Sequence, residues 1–332
     1  MKSNQKSVLL LRVFLLSLSV FTAAQVSASY HKSGEHEAYI TNSSASSVSV
    51  INTDTKLVVA TIPVGVGPVN PTFTPDGKFV YVANTGSKTI SVIDTKTHEV
   101  KTIQAGGKPS GLAFLPGGKK LLVTLIGETA QIEGFVEIIT IKTGEISTLV
   151  PVGKQPERVA LSADGKRAYV AALTDGSISV VDVESMKVIK KIPVGKLPFN
   201  MLISPDGKLF YSGVVMTSKL VMINTQTLEK VDSISTPTPN GLIFSKDFKS
   251  MYVTNVFAGT IQEISLETKK IVRTADAGKT PGYIALLSDG MHICLVRPFG
   301  DTVDIIDLAT LKITDTIKVE KGPSVVAVFN KN

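Results

Sequence analysis

The chain has 332 residues, a formal net charge of +7 at neutral pH and a single cysteine, Cys294. One cysteine excludes an internal disulfide bond, and the absence of CxxCH and CxxC motifs excludes a covalently attached c-type haem and a thiol redox or zinc knuckle. A solvated surface explains the surplus of lysine. Cys294 stands where most of the repeats described below have tyrosine, and we interpret it as a small buried residue.

The N-terminal residues 1–28 differ from the rest of the chain. Basic residues flank an apolar run at 8–21, and small residues follow it. This order is typical of a secretory signal peptide, cleaved after Ala28 or, alternatively, after Ala24. A retained membrane anchor is disfavoured because the run is short and contains Arg12. We therefore expect a signal peptide over residues 1–28, no transmembrane anchor after cleavage, and a periplasmic or secreted protein.

Cleavage after Ala28 would make His31 the third residue of the mature chain. A free amino group, two backbone amides and a third-position imidazole form a square-planar set of nitrogen ligands that suits Cu(II) or Ni(II). The sequence thus predicts a metal site at His31 that depends on the cleavage point; the alternative is a histidine placed there by chance. The other histidines, His36, His98 and His292, have no ligand spacing and favour structural roles. No other cofactor is indicated.

The rest of the chain is an internal repeat marked by a proline five residues before an apolar residue. Seven copies are spaced 41 or 42 residues apart, except for one gap of 47. The pairs are Pro68 and Phe73, Pro109 and Phe114, Pro156 and Leu161, Pro198 and Ile203, Pro239 and Phe244, Pro281 and Leu286, and Pro323 and Val328. A second marker, tyrosine in five copies, repeats with the same count.

Each repeat predicts four short strands. The segment from proline to the apolar residue is the first strand, and an Asp-Gly turn such as Asp76-Gly77 leads to the second. The third is β-branched and apolar, as in 178–182, and a fourth closes the repeat. Four antiparallel strands at a period of about 40 to 45 residues indicate a β-propeller. The prediction is an all-β fold of seven four-stranded blades.

The two ends of the repeat region predict how the ring closes. Residues 38–42 form a second strand without a first strand before it, and residues 323–329 form a first strand without a second strand after it. Paired together they complete one blade and remove two open sheet edges. The predicted domains are the signal peptide (1–28), an N-terminal extension (29–37) and the propeller (38–330).

The tetrapeptides at Tyr81–Asn84 (YVAN) and Tyr252–Asn255 (YVTN), with their Asp-Gly-Lys turns and Ser-Val-Ile-Asp runs, resemble the YVTN family of bacterial seven-bladed propellers. The chain has no tryptophan and does not resemble WD-repeat proteins. The resemblance implies an exported propeller. Some similar propellers are associated with DNA binding, and others are lactonases or subunits of quinone- or haem-dependent dehydrogenases.

Topology limits where a ligand can bind. The connections from fourth to first strands and from second to third strands open on one face around the channel, here called the loop face. Residues just after the repeat prolines, together with one second-strand end, are the candidate ligand-binding residues: Asn70, Arg158, Asn200, Asn240, Tyr283 and Arg297. Because the fork of arginine suits carboxylates and phosphates, Arg158, Arg297 and Tyr283 predict a site for an anionic or planar ligand. Alternatively, the asparagines only cap strand ends and order the loops.

The gap of 47 residues locates an insertion of five or six residues between Leu125 and Phe135. We expect this segment, Ile126–Gly134, to project over the loop face and to contribute Glu128 to the site. An insertion that breaks the symmetry of a repeat is a common place for function. A tolerated surface loop is the alternative.

The sequence contains no catalytic motif such as GxSxG or HExxH. We therefore favour a non-enzymatic scaffold that binds a protein or a small molecule on the loop face. One alternative is an enzyme or enzyme subunit, such as a lactonase-like hydrolase or a dehydrogenase partner. The other is a periplasmic nucleic-acid-binding propeller, which the sparse interleaving of aromatic and basic residues disfavours.

Overall fold

The computed structural model describes residues 36–330, and this part of the chain is almost entirely β-structure. Seven antiparallel sheets follow one another along the chain, and the first strands of neighbouring sheets contact each other in a closed ring. One short 3-10 helix, Val215–Thr217, is the only helix among the described residues. The predicted seven-bladed β-propeller is confirmed.

The blades are numbered along the chain, each with its first strand at the channel. Blade 1 contains β1 (Glu37–Asn42), β2 (Ser47–Asn52), β3 (Leu57–Pro63) and the last strand, β29 (Pro323–Val328). Blade 2 contains β4 (Pro68–Phe73), β5 (Phe79–Asn84), β6 (Thr89–Asp94) and β7 (Val100–Gln104). Blade 3 contains β8 (Lys108–Phe114), β9 (Lys120–Ile126), β10 (Glu133–Thr140), β11 (Glu145–Ile146) and β12 (Val150–Lys154).

The remaining four blades continue the same order. Blade 4 contains β13 (Pro156–Leu161), β14 (Arg167–Ala172), β15 (Ser177–Asp182) and β16 (Lys187–Pro193). Blade 5 contains β17 (Pro198–Ile203), β18 (Leu209–Val214), β19 (Lys219–Asn224) and β20 (Glu229–Ser235). Blade 6 contains β21 (Pro239–Phe244), β22 (Ser250–Asn255), β23 (Thr260–Ser265) and β24 (Ile271–Asp276). Blade 7 contains β25 (Ile284–Leu286), β26 (His292–Arg297), β27 (Thr302–Asp307) and β28 (Lys312–Lys318).

The two sequence markers of the repeat meet between neighbouring blades. Tyr81 on the second strand of blade 2 packs edge-on against Phe114 at the end of the first strand of blade 3, with ring centroids 4.9 Å apart. Tyr39 packs in the same way on Phe73, at 5.4 Å. Aromatic pairs in this geometry stabilise a fold beyond the area that they bury. In these blades the tyrosine of one repeat thus contacts the apolar residue that ends the first strand of the next.

The predicted turns between first and second strands are confirmed in detail. The carboxylate of Asp76 accepts hydrogen bonds from the Thr74 hydroxyl (2.7 Å) and from the backbone N–H of Lys78 (3.2 Å). Gly77 has a φ of 71°, a left-handed conformation that glycine adopts without strain. These hydrogen bonds, chiefly that from Thr74, lower the pKa of Asp76.

The ring closes through blade 1, as predicted. β29 pairs antiparallel with β1, and Ile40 lies opposite Val326 in the ladder. Val326 is 7% exposed and packs in a core cluster with Ala38 and Ile40. Cys294 lies in the same cluster, is buried as predicted, and has its pKa raised to about 12 by burial.

Two blades depart from the repeat. The first strand of blade 7 was expected from Pro281 but begins at Ile284. Before Ile284, the Gly282 N–H donates to the carbonyl oxygen of Val296 and the Val296 N–H donates to that of Tyr283, both at 2.9 Å, so two residues face one and the regular ladder begins later. In blade 3 the fourth strand is divided into β11 and β12, which both pair with β10.

A buried glutamate marks blade 3. The side chain of Glu137 is fully buried, and both of its oxygens lie within hydrogen-bond distance of the Gly106 backbone N–H, at 3.1 and 3.2 Å. Gly106 permits this approach because a Cβ there would lie 2.3 Å from a carboxylate oxygen. Burial raises the pKa of Glu137 above its usual value, so ionisation opposes folding.

Substitution of Val326 tests ring closure. Val326→Asp puts an unpaired charge into the core beside Ile40, and we expect the free energy of unfolding to fall by about 3 kcal/mol or more. Val59→Asp is the matched control, because Val59 lies on an outer strand and is 51% exposed. Equal urea midpoints for the two variants would show that the β1–β29 pairing does not hold the ring.

Substitution of Glu137 tests the buried carboxylate. A raised pKa in the folded state means that stability is lost as pH rises through that pKa. Glu137→Gln should therefore be more stable than the wild type near neutral pH, by on the order of 1 kcal/mol, with the difference vanishing as pH falls to about 4. Thermal unfolding across pH measures this effect. Glu99→Gln, at an exposed site, should show no such trend, and a constant difference for Glu137→Gln would contradict the prediction.

Candidate functional site

The first strands and the turns that adjoin them surround a cavity of about 840 Å³ along the channel. Most of its wall is apolar and includes Leu202, Leu242 and Ile243. Arg158 and Asn200, from neighbouring blades, contribute polar groups, and Tyr283 adds a ring. Cavities of this size, largely apolar with a few polar groups, are typical of small-molecule sites. Three of the predicted residues, Arg158, Asn200 and Tyr283, thus share one cavity.

Arg158 and Tyr283 meet across the channel. Arg158 lies on β13 in blade 4, and Tyr283 directly precedes β25 in blade 7, so two blades separate them along the ring. The guanidinium carbon of Arg158 lies 4.0 Å from the centroid of the Tyr283 ring. This cation–π contact orients the guanidinium plane while leaving its N–H groups free for other partners.

The N–H donors of Arg158 have no hydrogen-bond acceptor among residues 36–330, which distinguishes it from the other arginines of this region. Arg167 donates to the carbonyl oxygen of Thr225 at 2.6 Å. Arg273 forms an ion pair with Glu263 at 2.5 Å, and Arg297 forms one with the buried Asp304. Arg158 therefore places in the wall of the cavity a positive charge that has no hydrogen-bonded or ion-paired partner among the described residues.

Asn200 adds a second free donor. Its side-chain oxygen accepts a hydrogen bond from the backbone N–H of Met201 at 2.8 Å, which directs the amide NH₂ away from the strand. Within the described part of the chain this NH₂ group has no acceptor. Because Asn200 lines the same cavity as Arg158, the two side chains offer an anion both charge and hydrogen bonds.

Asn70 closes another part of the channel mouth. Its amide NH₂ donates to the carbonyl oxygens of Ser110 (3.0 Å) and Glu157 (3.3 Å), so one side chain ties blades 2, 3 and 4 together. The Ser110 hydroxyl also donates to the Glu157 carbonyl, at 3.2 Å. The Glu157 carboxyl accepts from Gln155 at 3.0 Å, and burial raises its pKa. This part of the mouth is organised by its own hydrogen bonds.

Two further predicted residues lie apart from the cavity wall. Arg297 is held by Asp304 and donates to the carbonyl oxygens of Lys279 (2.9 Å) and Ala277. It is therefore not brought together with Arg158 and Tyr283. Asn240 is half-buried, and its side-chain oxygen has no partner among the described residues.

The asparagines at the ends of second strands form hydrogen bonds within their own blades. Asn42 donates to Ser49 at 2.9 Å, and Asn84 donates to Ser91 at 2.9 Å. Arg297 and Asp304 occupy the same two positions in blade 7. The alternative interpretation, that asparagines cap and order strand ends, therefore agrees with the hydrogen bonds of Asn42 and Asn84. Comparing the repeats position by position would have shown that Arg297 and Asp304 replace an asparagine–serine pair.

The insertion lies in the β9–β10 connection and is fixed to its neighbours by Glu128. The Glu128 carboxylate forms ion pairs with Lys108 (2.6 Å) and Lys88 (2.9 Å), which lower its pKa to about 2. A smaller cavity of about 260 Å³ lies beneath the loop, bounded also by Gln155. Glu128 thus anchors the loop to blade 2 and to the start of β8.

The predicted metal site is not part of this geometry, since His31 lies outside the described residues. No group of three or more metal-ligating side chains occurs in the range 36–330. His36 and His292 are hydrogen-bonded to Asp54 (3.1 Å) and Asp289 (2.6 Å). Within the same range no helix is long and apolar enough to cross a membrane.

Family comparisons agree with the repeat architecture. The model of YNCE-like beta-propellers matches residues 9–135, and that of the cytochrome D1 heme domain matches residues 133–242. A stretch of 119 residues is 32% identical to the seven-bladed beta-propeller protein Rv1057 of Mycobacterium tuberculosis, and covers 34% of this chain. The expected resemblance to seven-bladed repeat propellers is confirmed. The chain spans only 29% of the length of that relative.

Solved structures similar to this propeller show the fold alone. Hydrazine synthase of Kuenenia stuttgartiensis matches with a TM-score of 0.73 and 20% identity, over 84% of this chain and 94% of that one. A functionally unknown protein of Desulfotomaculum acetoxidans matches with a TM-score of 0.77 and 14% identity, over 90% and 100%. The dihydro-heme d1 dehydrogenase NirN matches with a TM-score of 0.66 and 16% identity, over 89% and 75%.

Substitution of Glu128 tests how the insertion is held. Glu128→Gln removes both ion pairs, and we expect faster motion of the backbone amides of residues 127–132 in ¹⁵N relaxation measurements. The urea midpoint of unfolding should stay close to that of the wild type, because exposed ion pairs contribute little to stability. Glu145→Gln, at an exposed site of the same blade, is the control. Unchanged relaxation in Glu128→Gln would show that other contacts hold the loop.

Proposed function

We propose that this protein is an exported, non-enzymatic scaffold that binds a ligand at the channel mouth on its loop face. The observation that carries the proposal is Arg158, whose cation lies against Tyr283 in the wall of a largely apolar cavity without a hydrogen-bonding partner in the described chain. An uncompensated cation in a partly buried position is costly unless a ligand or water satisfies it.

The arrangement of the mouth supports a ligand rather than a structural role for Arg158. The Asn70, Ser110 and Glu157 groups connect blades 2 to 4 by hydrogen bonds of their own. Arg158 and Asn200 lie on the neighbouring part of the wall, and their side-chain N–H donors have no acceptor among the described residues. In a repeat scaffold with otherwise equivalent blades, such an unsatisfied pair is where binding chemistry is expected.

The insertion supports a role for the surrounding loop face. Gln155 bounds the cavity beneath the insertion and also donates to the Glu157 carboxyl, next to Arg158 in the chain. The segment from Gln155 to Arg158 therefore connects the insertion to the channel wall. A ligand that extends out of the channel, or a protein that carries it, would contact the loop anchored by Glu128.

The similarity to haem-binding propellers does not favour a haem site here. Haem iron in proteins is held by histidine, cysteine, methionine or tyrosine side chains. The residues that line the described cavity include no histidine, cysteine or methionine, and the ring of its tyrosine, Tyr283, carries the Arg158 guanidinium. These residues do not fit a ligated haem, and we derive no chemistry from one.

The test uses ligand-dependent stabilisation. A ligand that binds only the folded state raises the melting temperature. We expect the small-molecule fraction of a periplasmic extract to raise the melting temperature of the wild type and of Lys279→Gln, but not of Arg158→Gln. Lys279 is exposed and precedes blade 7 near Tyr283 in the chain, so it controls for loss of charge. Equal responses of all three proteins, or none, would refute binding at Arg158.

A second measurement addresses the loop face. In a variant with residues 126–134 replaced by a four-residue turn like that at 85–88, melting in the absence of extract should stay within a few degrees of the wild type. The stabilisation by extract should fall but persist, because the cavity and Arg158 remain. Complete retention of the wild-type response would exclude the insertion from the site.

A further inference from the structure

The channel cavity has polar donors on one part of its wall and an apolar surface along the rest, which restricts the kind of ligand that fits. Asn200 and Leu202 both line it from β17. Because side chains two apart in a strand share a face and the strand rises about 3.3 Å per residue, Leu202 lies about 7 Å farther along the channel than Asn200. The wall thus changes from polar to apolar over a short distance.

The other strands continue the apolar surface. Ile243 from blade 6 lines the cavity and is partly exposed, whereas Leu242 and Ile284 border the cavity but are only 2% and 7% exposed. At the far end Phe73 and Phe329 pack against each other, with ring centroids 5.5 Å apart, and close that side with aromatic surface. A purely polar ligand would leave this wall without a partner.

The charges of the wall select the head group. The lining includes one cationic side chain, Arg158, and no carboxylate. The nearest carboxyl in the chain, that of Glu157, accepts a hydrogen bond from Gln155; burial raises its pKa, and the Arg158 charge opposes that rise. Nothing in the described wall therefore repels an oxyanion, while the Arg158 fork and the Asn200 amide offer it donors.

We propose that the channel binds an amphiphilic organic anion, with its oxyanion head at Arg158 and Asn200 and its apolar body against Leu202 and Ile243. This inference rests on the proposed function and specifies its ligand class. Carboxylates, phosphate monoesters and sulfates share the necessary head chemistry. Tyr283 acts as a positioning residue that holds the guanidinium plane toward the cavity.

The head group is tested by isothermal titration calorimetry with probes that share one eight-carbon chain. Octanoate, octyl phosphate and octyl sulfate are the anionic probes, with 1-octanol and octyltrimethylammonium as neutral and cationic controls. We expect anions to bind at least about 10-fold more tightly than 1-octanol, as hydrogen bonds to a charged group allow. The ranking among the three anions identifies the preferred head. Equal binding of octanoate and 1-octanol would overturn the proposal.

The apolar body is tested by chain length. From butanoate to octanoate, affinity should rise roughly 2- to 4-fold per methylene, as expected for burial of apolar surface. Arg158→Gln should weaken every member of the series by a similar factor of about 10 or more while preserving this slope. A flat series, or an unchanged affinity in Arg158→Gln, would contradict the proposal.

Two variants of Tyr283 distinguish the effect of its aromatic ring on the position of Arg158 from the effect of its side-chain size. Tyr283→Phe keeps the ring, and octanoate affinity should stay within about 2-fold of the wild type. Tyr283→Leu removes the ring, and affinity should fall several-fold with the chain-length slope unchanged. Equal affinities in both variants would show that the ring does not position Arg158.

The outcomes distinguish this inference from the function on which it rests. Arg158-dependent stabilisation by extract together with failure of the anionic probes would overturn the ligand class and leave the binding function standing. Failure of both would overturn both. Arg158-dependent binding of anionic probes with a positive slope would support both.

Discussion

The antiparallel pairing of β1 with β29 is the constraint on which the rest of the structure depends. The two strands come from opposite ends of the described chain, and their side chains still bond directly, as Thr41 does with Ser324 at 2.8 Å across 283 residues. With this pairing every first strand has a neighbour on both sides, and the ring surrounds an open channel. The contact between Arg158 and Tyr283 spans that channel. It forms because the closed ring brings blades 4 and 7 to face each other.

Most blades are near copies, so chemistry must come from their differences. The aromatic contact that joins Tyr81 to Phe114 recurs at two other blade contacts, between Tyr39 and Phe73 and between Tyr211 and Phe244. The channel mouth differs because position after position along the first strands carries a different side chain. Some of these side chains, such as Asn70, bond across neighbouring blades, whereas Arg158 and Asn200 do not. The asymmetry of the mouth, rather than the fold, is what distinguishes one blade from another.

The fold followed from the sequence because each blade is specified locally. The proline spacing, the Asp-Gly turns and the incomplete terminal repeats could be read without knowing any long-range contact, and Cys294 was correctly placed in the core by its repeat position. The contact between Arg158 and Tyr283 could be suggested but not established. It joins side chains that lie far apart in the chain, and its geometry depends on where seven blades place their first strands.

The differences between the structure and the sequence-based predictions, at Arg297 and at the first strand of blade 7, also have physical reasons. Arg297 was grouped with Arg158 because both are arginines near the loop face, but pairing between adjacent strands brings Asp304 to Arg297 and satisfies its charge. The shortened strand before β26 could not be foreseen either. The proline at its start is regular, and only the close approach of Gly282 to Val296 shows that the ladder begins later.

Ring closure also determines when the channel cavity is complete. β29 follows every other strand of the described chain, and blade 1 is complete only when β29 pairs with β1. Joining such distant segments carries the entropic cost of a long loop. A ligand that fits the channel can bind only when the ring is closed. Its binding therefore stabilises the closed ring relative to the form in which β1 and β29 are unpaired. The channel cavity is therefore complete only when β1 and β29 have paired, and a ligand bound there would stabilise the closed ring.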